Sequence, residues 1–176
     1  MTKFAANRLL VSVFFIFFSN LFHGQVFAQE KRVPKPIVVP SDLENTKVYL
    51  VTVGLGEAVY MRYGHTLLKV VSGDTGRTYM YNWGMFSFDD PMFPLKFFLG
   101  ERKYWVGEST DRHIVRLYRD YEDRDVFQQE VYLTQNQKAK LISLVNANFT
   151  QENIYFGYEH FSSNCATIPR DYIDKA

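Results

Sequence analysis

Cysteine is nearly absent from this sequence: Cys165 is the only one in 176 residues. No internal disulfide can form, so Cys165 is either a small apolar filler or a thiol kept for chemistry. Surplus charge is missing too. Twenty basic residues against nineteen acidic ones leave a formal net charge of +1, which offers a nucleic-acid backbone no basic stripe and argues against that partner. After residue 28 no run is long and apolar enough for a bilayer-spanning helix of about 20 residues. No internal repeat or low-complexity block is evident beyond one proline-containing tract. Paired cysteines and close histidine spacings are lacking, so no metal site and no cofactor are expected.

Apolar and aromatic residues are plentiful. The chain is 47% hydrophobic and 17% aromatic, enough for the packed core of one domain and too much for disorder. Sixteen Phe and twelve Tyr fit a β-rich core or, alternatively, a groove for lipid or another apolar substrate. The first 28 residues read as an export signal: Lys3 and Arg8 are basic, Leu9 to Phe22 is apolar, and Val26-Phe27-Ala28 precedes a cut near Gln29. Export places the domain in the periplasm or elsewhere in the cell envelope, an oxidising compartment where a lone thiol avoids unwanted pairing. Residues 29–46, with Pro34, Pro36 and Pro40, read as an extended linker, and residues 47–176 as the domain.

The pattern predicts an α+β fold, an antiparallel sheet packed with helices. Lys47 to Val53 and Gly64 to Ser72 read as strands, and Gly73-Asp74-Thr75-Gly76 turns the second into a third at Arg77 to Trp83. Leu95 to Leu99 suggests a short helix in a loop, and Lys103 to Val106 and His113 to Tyr118 suggest further strands. Thr134 with Gln137 forms a capping box opening a helix to Asn148, with Leu141, Leu144 and Val145 on one face. Ile154 to Phe161 reads as an extended approach to the cysteine.

A lone cysteine is more often core filler than nucleophile, but its neighbours alter that balance. Asn164 suits a helix cap, and a thiol beside a helix N-terminus is stabilised as thiolate. Pro169 leaves open whether the helix starts at Asn164 or near Thr167, with Cys165 on the preceding turn. A thiol nucleophile needs a base and an orienting group. Of four histidines, His23 lies in the export signal, His113 among charges, and His160 on an aromatic stretch. His65 follows Gly64, whose missing side chain permits close backbone approach, and opens an apolar strand. Asn82, polar within Tyr79-Met80-Tyr81-Asn82-Trp83, is a candidate to orient it or else caps the turn at Gly84; Tyr63 is an alternative. Backbone N–H groups of Cys165 and Ala166 would supply an oxyanion hole. Tyr63, Arg62, Asn164 and Arg170 are substrate-binding candidates, with Lys69 a further cation for anionic lipid headgroups.

Taken together, Arg62-Tyr63-Gly64-His65-Thr66, Tyr81-Asn82-Trp83-Gly84, and Asn164-Cys165-Ala166-Thr167 with Arg170-Asp171 resemble the N-terminal periplasmic domain of Lnb-type proteins, linked to lipoprotein N-acylation. More distantly, a histidine on a strand preceding Asn-Cys at a helix start is similar to circularly permuted papain-like, NlpC-like enzymes. The resemblance implies a thioester mechanism in which Cys165 attacks an acyl ester, His65 moves the proton and an amine accepts the acyl group. It implies a lipid or lipoprotein acyl substrate, a membrane-proximal setting, and a membrane-embedded part following the domain. A cysteine amidase or peptidase on cell-wall peptides and a non-catalytic envelope binding domain are the readings it competes with.

Overall fold

The computed structural model describes residues 35–58, 61–86, 92, 103–159 and 161–176, all within the compact unit Lys31–Ala176. The export signal, the short helix expected at Leu95 to Leu99, and His160 lie outside these residues. Among the described residues, six strands form one open antiparallel sheet: β1 (Lys47–Val53), β2 (His65–Val71), β3 (Thr78–Met85), β4 (Lys103–Ser109), β5 (Val126–Glu130) and β6 (Tyr155–Gly157), in the order β5-β1-β2-β3-β4-β6. Three helices accompany it, α1 (Asp111–Val115), α2 (Gln135–Asn146) and α3 (Thr167–Lys175), with α1 running on into a π-helical stretch at Arg116–Tyr121.

Alternation along the strands divides the core in two, because successive side chains leave a strand on opposite faces. Val48, Leu68, Val70, Tyr81 and Trp83 pack with Leu141, Ile142 and Val145 of α2, and with Ile168, Tyr172 and Ile173 of α3. Val51, Val53, Leu67 and Met80 face the other way, onto Ile114 and Tyr118. Both faces are covered at the centre, so Leu67 through Val70 are buried one after another. Lys69 takes a place in that run only because its ammonium donates to Asp111 Oδ1 at 3.0 Å and Gln128 Oε1 at 3.1 Å. It is a tie between elements rather than a headgroup contact.

The expected strand at His113 to Tyr118 is helical instead. Thr110 caps it, its side chain accepting from the His113 N–H, and the inward residues Ile114 and Tyr118 are one helical turn apart. The capping box of α2 forms as expected, Thr134 and Gln137 each accepting from the other's N–H. The tract expected as a linker lies against the domain from Ile37 onward. Ile37 is 4% exposed and trades two hydrogen bonds with the Asn146 side chain, at 2.9 and 2.8 Å. Farther along, the Asp74 carboxylate in the β2–β3 turn accepts from the N–H groups of Ser41 and Asp42 and from the Ser41 hydroxyl. Proline sets the tract's extended shape; Ile37 and Asp74 decide where it lies.

Candidate active site

The β2–β3 ladder runs from Val71↔Thr78 to Leu68↔Tyr81 and ends there. Ahead of that point β2 remains registered with β1 to Val53↔His65, whereas β3 bulges between Trp83 and Met85. Two glycines make the opening possible. Gly64 has φ 70°, and a Cβ there would lie 2.9 Å from the Val53 carbonyl oxygen. Gly84 has φ 149°, and its Cβ would lie 3.3 Å from His65 Cε1 and 3.9 Å from Cys165 Cβ. Both conformations disfavour any other residue; Gly64 permits the close approach to Val53, and Gly84 leaves room for the imidazole.

His65 and Asn82 project from the same sheet face. The Nε2 of His65 is 2.7 Å from Asn82 Oδ1; a carbonyl oxygen only accepts, so Nε2 carries the proton and Nδ1 is the unprotonated nitrogen. The Asn82 amide donates onward to the Tyr118 hydroxyl at 3.4 Å. Asn82 therefore serves the imidazole, not the turn at Gly84. Tyr118 is itself fixed, by the His65 ring 6.0 Å away and the Arg124 guanidinium 5.2 Å over its own ring. Arg124 is buried, donating twice to the Gly54 carbonyl and once to Glu122. Burial holds the Tyr118 hydroxyl far above its usual pKa, with Glu122 adding to the effect, so it stays a neutral partner for Asn82.

Cys165 approaches the opening from the other side. Asn164 Oδ1 accepts from the N–H groups of Ala166 and Thr167, both at 2.9 Å, while the Asn164 N–H donates to Thr167 Oγ1. This is a reciprocal N-terminal cap in which Asn164 takes the capping place and Cys165 the first turn. The Ile168 N–H reaches the Asn164 carbonyl at 3.1 Å, but Pro169 has no N–H for the carbonyl of Cys165, so the regular helix begins only at Thr167. The thiol is thus presented from a capped turn leading into α3. The His65 side chain and the Thr66 N–H both act on the sulfur as hydrogen-bonding neighbours that favour its ionised form. With Nε2 on Asn82, Nδ1 is the ring nitrogen left for the thiol.

A family model described as the Lnb N-terminal periplasmic domain matches residues 39–176. The chain belongs to this family. The description makes the domain periplasmic, and the match begins inside the tract that packs through Ile37. No curated protein and no solved structure matches.

In this Lnb-type domain the electrostatics at sulfur oppose one another. Burial is the largest influence and pushes the Cys165 thiol up. The His65 hydrogen bond and charge, the Thr66 N–H and the Tyr158 hydroxyl together outweigh it, and the thiol titrates below its ordinary value. Among the described residues, no three His, Cys, Asp or Glu side chains converge as metal ligands.

The other expected site residues have different work. Asn164 is buried, with Oδ1 on the cap and Nδ2 donating to the Glu159 carbonyl at 3.2 Å; it shapes the turn and offers substrate no carbonyl oxygen. Ala166, expected to supply an oxyanion donor, has its N–H on that same Asn164 oxygen. Arg62 donates to the Glu57 carbonyl, and Arg170 pairs with its neighbour Asp171 at 2.6 Å. Tyr63 is exposed, and it is Asn82 that holds the imidazole. Two tyrosines escaped the sequence reading. Tyr118 lies on the π-helical stretch in place of the expected strand, and Tyr158 stands with its hydroxyl 4.0 Å from Cys165 Sγ.

Proposed function

We propose that this domain is a cysteine acyltransferase of the cell envelope, using a thioester on Cys165 with His65 as base. The observation that carries the reading is the hydrogen-bonded series from Cys165 through His65 and Asn82 to Tyr118. A nucleophile meets a base there, the base meets an orienting carbonyl, and that amide is anchored in turn. A histidine opening a strand, followed later by a cysteine on a capped turn, also favours the permuted papain-like arrangement.

In the proposed reaction the Cys165 thiolate attacks the carbonyl carbon of an acyl ester, and the carbonyl electrons move onto oxygen. As the tetrahedral intermediate collapses, the C–O bond breaks and the alcohol leaves with the proton from the His65 imidazolium. The thioester remains on sulfur. An amine then attacks it, giving its proton to His65, and the thiolate departs. Family membership favours an acyl chain of a lipid or lipoprotein as donor and a lipoprotein N-terminal amine as acceptor. Aromatic rings beside the sulfur favour an apolar substrate: Tyr158 stacks on Tyr104 at 4.5 Å, and Tyr104 meets Phe86 and Phe156 at 5.4 and 6.5 Å.

The test uses the chain from Gln29 onward with an ester-based acyl probe. Cys165 should be labelled, C165A not at all, and H65A at least a hundredfold more slowly, the scale of general-base assistance. Equal labelling of wild type and H65A would remove the dyad. Release of amine from cell-wall peptides, without an acyl-enzyme from lipid esters, would reassign the domain as an amidase.

A further inference from the structure

Oxyanion stabilisation is incomplete as expected from the cysteine turn alone. A tetrahedral intermediate needs donors aimed at the oxygen that gains charge, about 2.7–3.1 Å from it. The backbone amides of Cys165 and Ala166 were the expected suppliers. The Ala166 N–H is directed 2.9 Å onto Asn164 Oδ1 and the Thr167 N–H likewise, so this cap withdraws them from the reaction. The Thr66 N–H meets the sulfur itself. That leaves the Cys165 N–H as the amide of the turn not engaged by Asn164.

We infer that the Tyr158 hydroxyl is the second oxyanion donor, a catalytic group in the acyl-transfer reaction proposed above and dependent on that reading. Its oxygen lies 4.0 Å from Cys165 Sγ, too long for a strong bond to the resting thiol. The oxygen of a tetrahedral intermediate lies two bonds from Sγ, and a hydroxyl at this distance can meet it at hydrogen-bond range. The contact is therefore weak in the ground state and strong once charge develops, the property that lowers a barrier instead of merely tightening binding. Tyr158 donates a hydrogen bond and keeps its proton throughout; His65 alone transfers one.

The position of the hydroxyl is set by regular structure. β6 pairs with β4 through Lys103↔Gly157 and Tyr104↔Phe156, and Tyr158 follows directly, its ring stacked on Tyr104 at an interplanar angle of 31°. Tyr104 is itself buried on β4. Aromatic packing thus aims the phenol, and a phenylalanine would keep the stack while lacking the donor.

Tyr158→Phe separates this role from a structural one through two reactions at the same sulfur. Alkylation by iodoacetamide generates no oxyanion, whereas acylation by p-nitrophenyl butyrate does. At a pH where the thiol is ionised, the variant should alkylate within about twofold of wild type, yet acylate about a hundredfold more slowly, the scale of a lost oxyanion donor. Parallel loss of both rates would make Tyr158 a packing or thiolate-supporting residue. Unchanged acylation would overturn the inference while leaving the acyltransferase reading intact. A wild type that alkylates but never acylates would sink that reading, and this inference with it. As a second measurement, wild type should prefer the oxo ester over its thiono analogue, a poor hydrogen-bond acceptor, and the preference should shrink in Y158F; an identical preference in both also overturns it.

Discussion

The two ends of the β2–β3 pair have been put to opposite uses. At the hairpin end the strands are laddered from Leu68 to Val71, and the turn residue Asp74 gathers three donors from the packed N-terminal tract. At the other end the ladder stops, Gly64 and Gly84 take positive φ, and the Asn82 side-chain oxygen and the Thr66 N–H are turned on His65 and Cys165. Backbone pairing satisfies polar groups most economically, so an opened ladder is tolerated only where side chains replace the missing bonds. Here the Thr66 N–H turns to the Cys165 sulfur, while Asn82 and Tyr118 tie down the imidazole. One end holds the sheet together, and the other gives up pairing to build a site.

That division can be broken from its stable end first. Ile37→Ala keeps the backbone bonds to Asn146 but removes a buried side chain from the core shared with α2, and such truncations cost about 2–5 kcal/mol. The lower figure is expected because a chain-terminal tract can relax. Urea denaturation should show the lower midpoint, while acyl-probe labelling of the folded variant stays at the wild-type rate. Slower labelling in proportion to lost stability would mean that the two ends are coupled.

A smaller effect is expected at the open end. Asn82→Ala frees the imidazole to rotate and leaves Tyr118 without its amide donor. Acylation should slow by about tenfold to a hundredfold, equivalent to about 1.4–2.8 kcal/mol of barrier. Asn82→Asp should do better than alanine, since an acceptor oxygen is retained to orient Nε2. Stopped-flow release of nitrophenolate would measure both; two variants equally slow would show that the carbonyl does not orient the ring.

How these ends arise was unevenly legible in the sequence. The hairpin turn, β1 and α2 follow from local signals: alternation, Gly-Asp-Thr-Gly and a capping box. His65, Asn82 and Cys165 stood out because each is a reactive or polar group in apolar surroundings, which requires a reason. Tyr118 and Tyr158 did not, being two tyrosines among twelve whose hydroxyls acquire roles only through contacts with residues 36 and 7 positions away. The segment at His113 misled because six residues with mixed apolar spacing fit a strand as well as a helix; Thr110 decides the matter by capping. Ala166 misled differently. Its amide lies beside Cys165, but the Asn164 side chain competes for it, and local side-chain bonds of that kind win when they complete a helix start.

The smallest and most discriminating effect is on pH dependence. Iodoacetamide reacts with thiolate, so its rate follows ionisation of Cys165. The midpoint should lie below the ordinary thiol value of 9.0, because His65, the Thr66 N–H and Tyr158 together outweigh burial. In His65→Ala the hydrogen bond and charge of the imidazole are lost, while burial, the largest influence and an upward one, remains. The midpoint must then rise. Tyr158 is the last-ranked of the downward influences, so Y158F should move it less than H65A does. The ordering wild type, Y158F, H65A from lowest midpoint to highest tests whether the opened strands work as one site. A Y158F midpoint at or above that of H65A would assign the phenol to thiolate support instead of the oxyanion, and an H65A midpoint equal to wild type would uncouple the imidazole from the sulfur altogether.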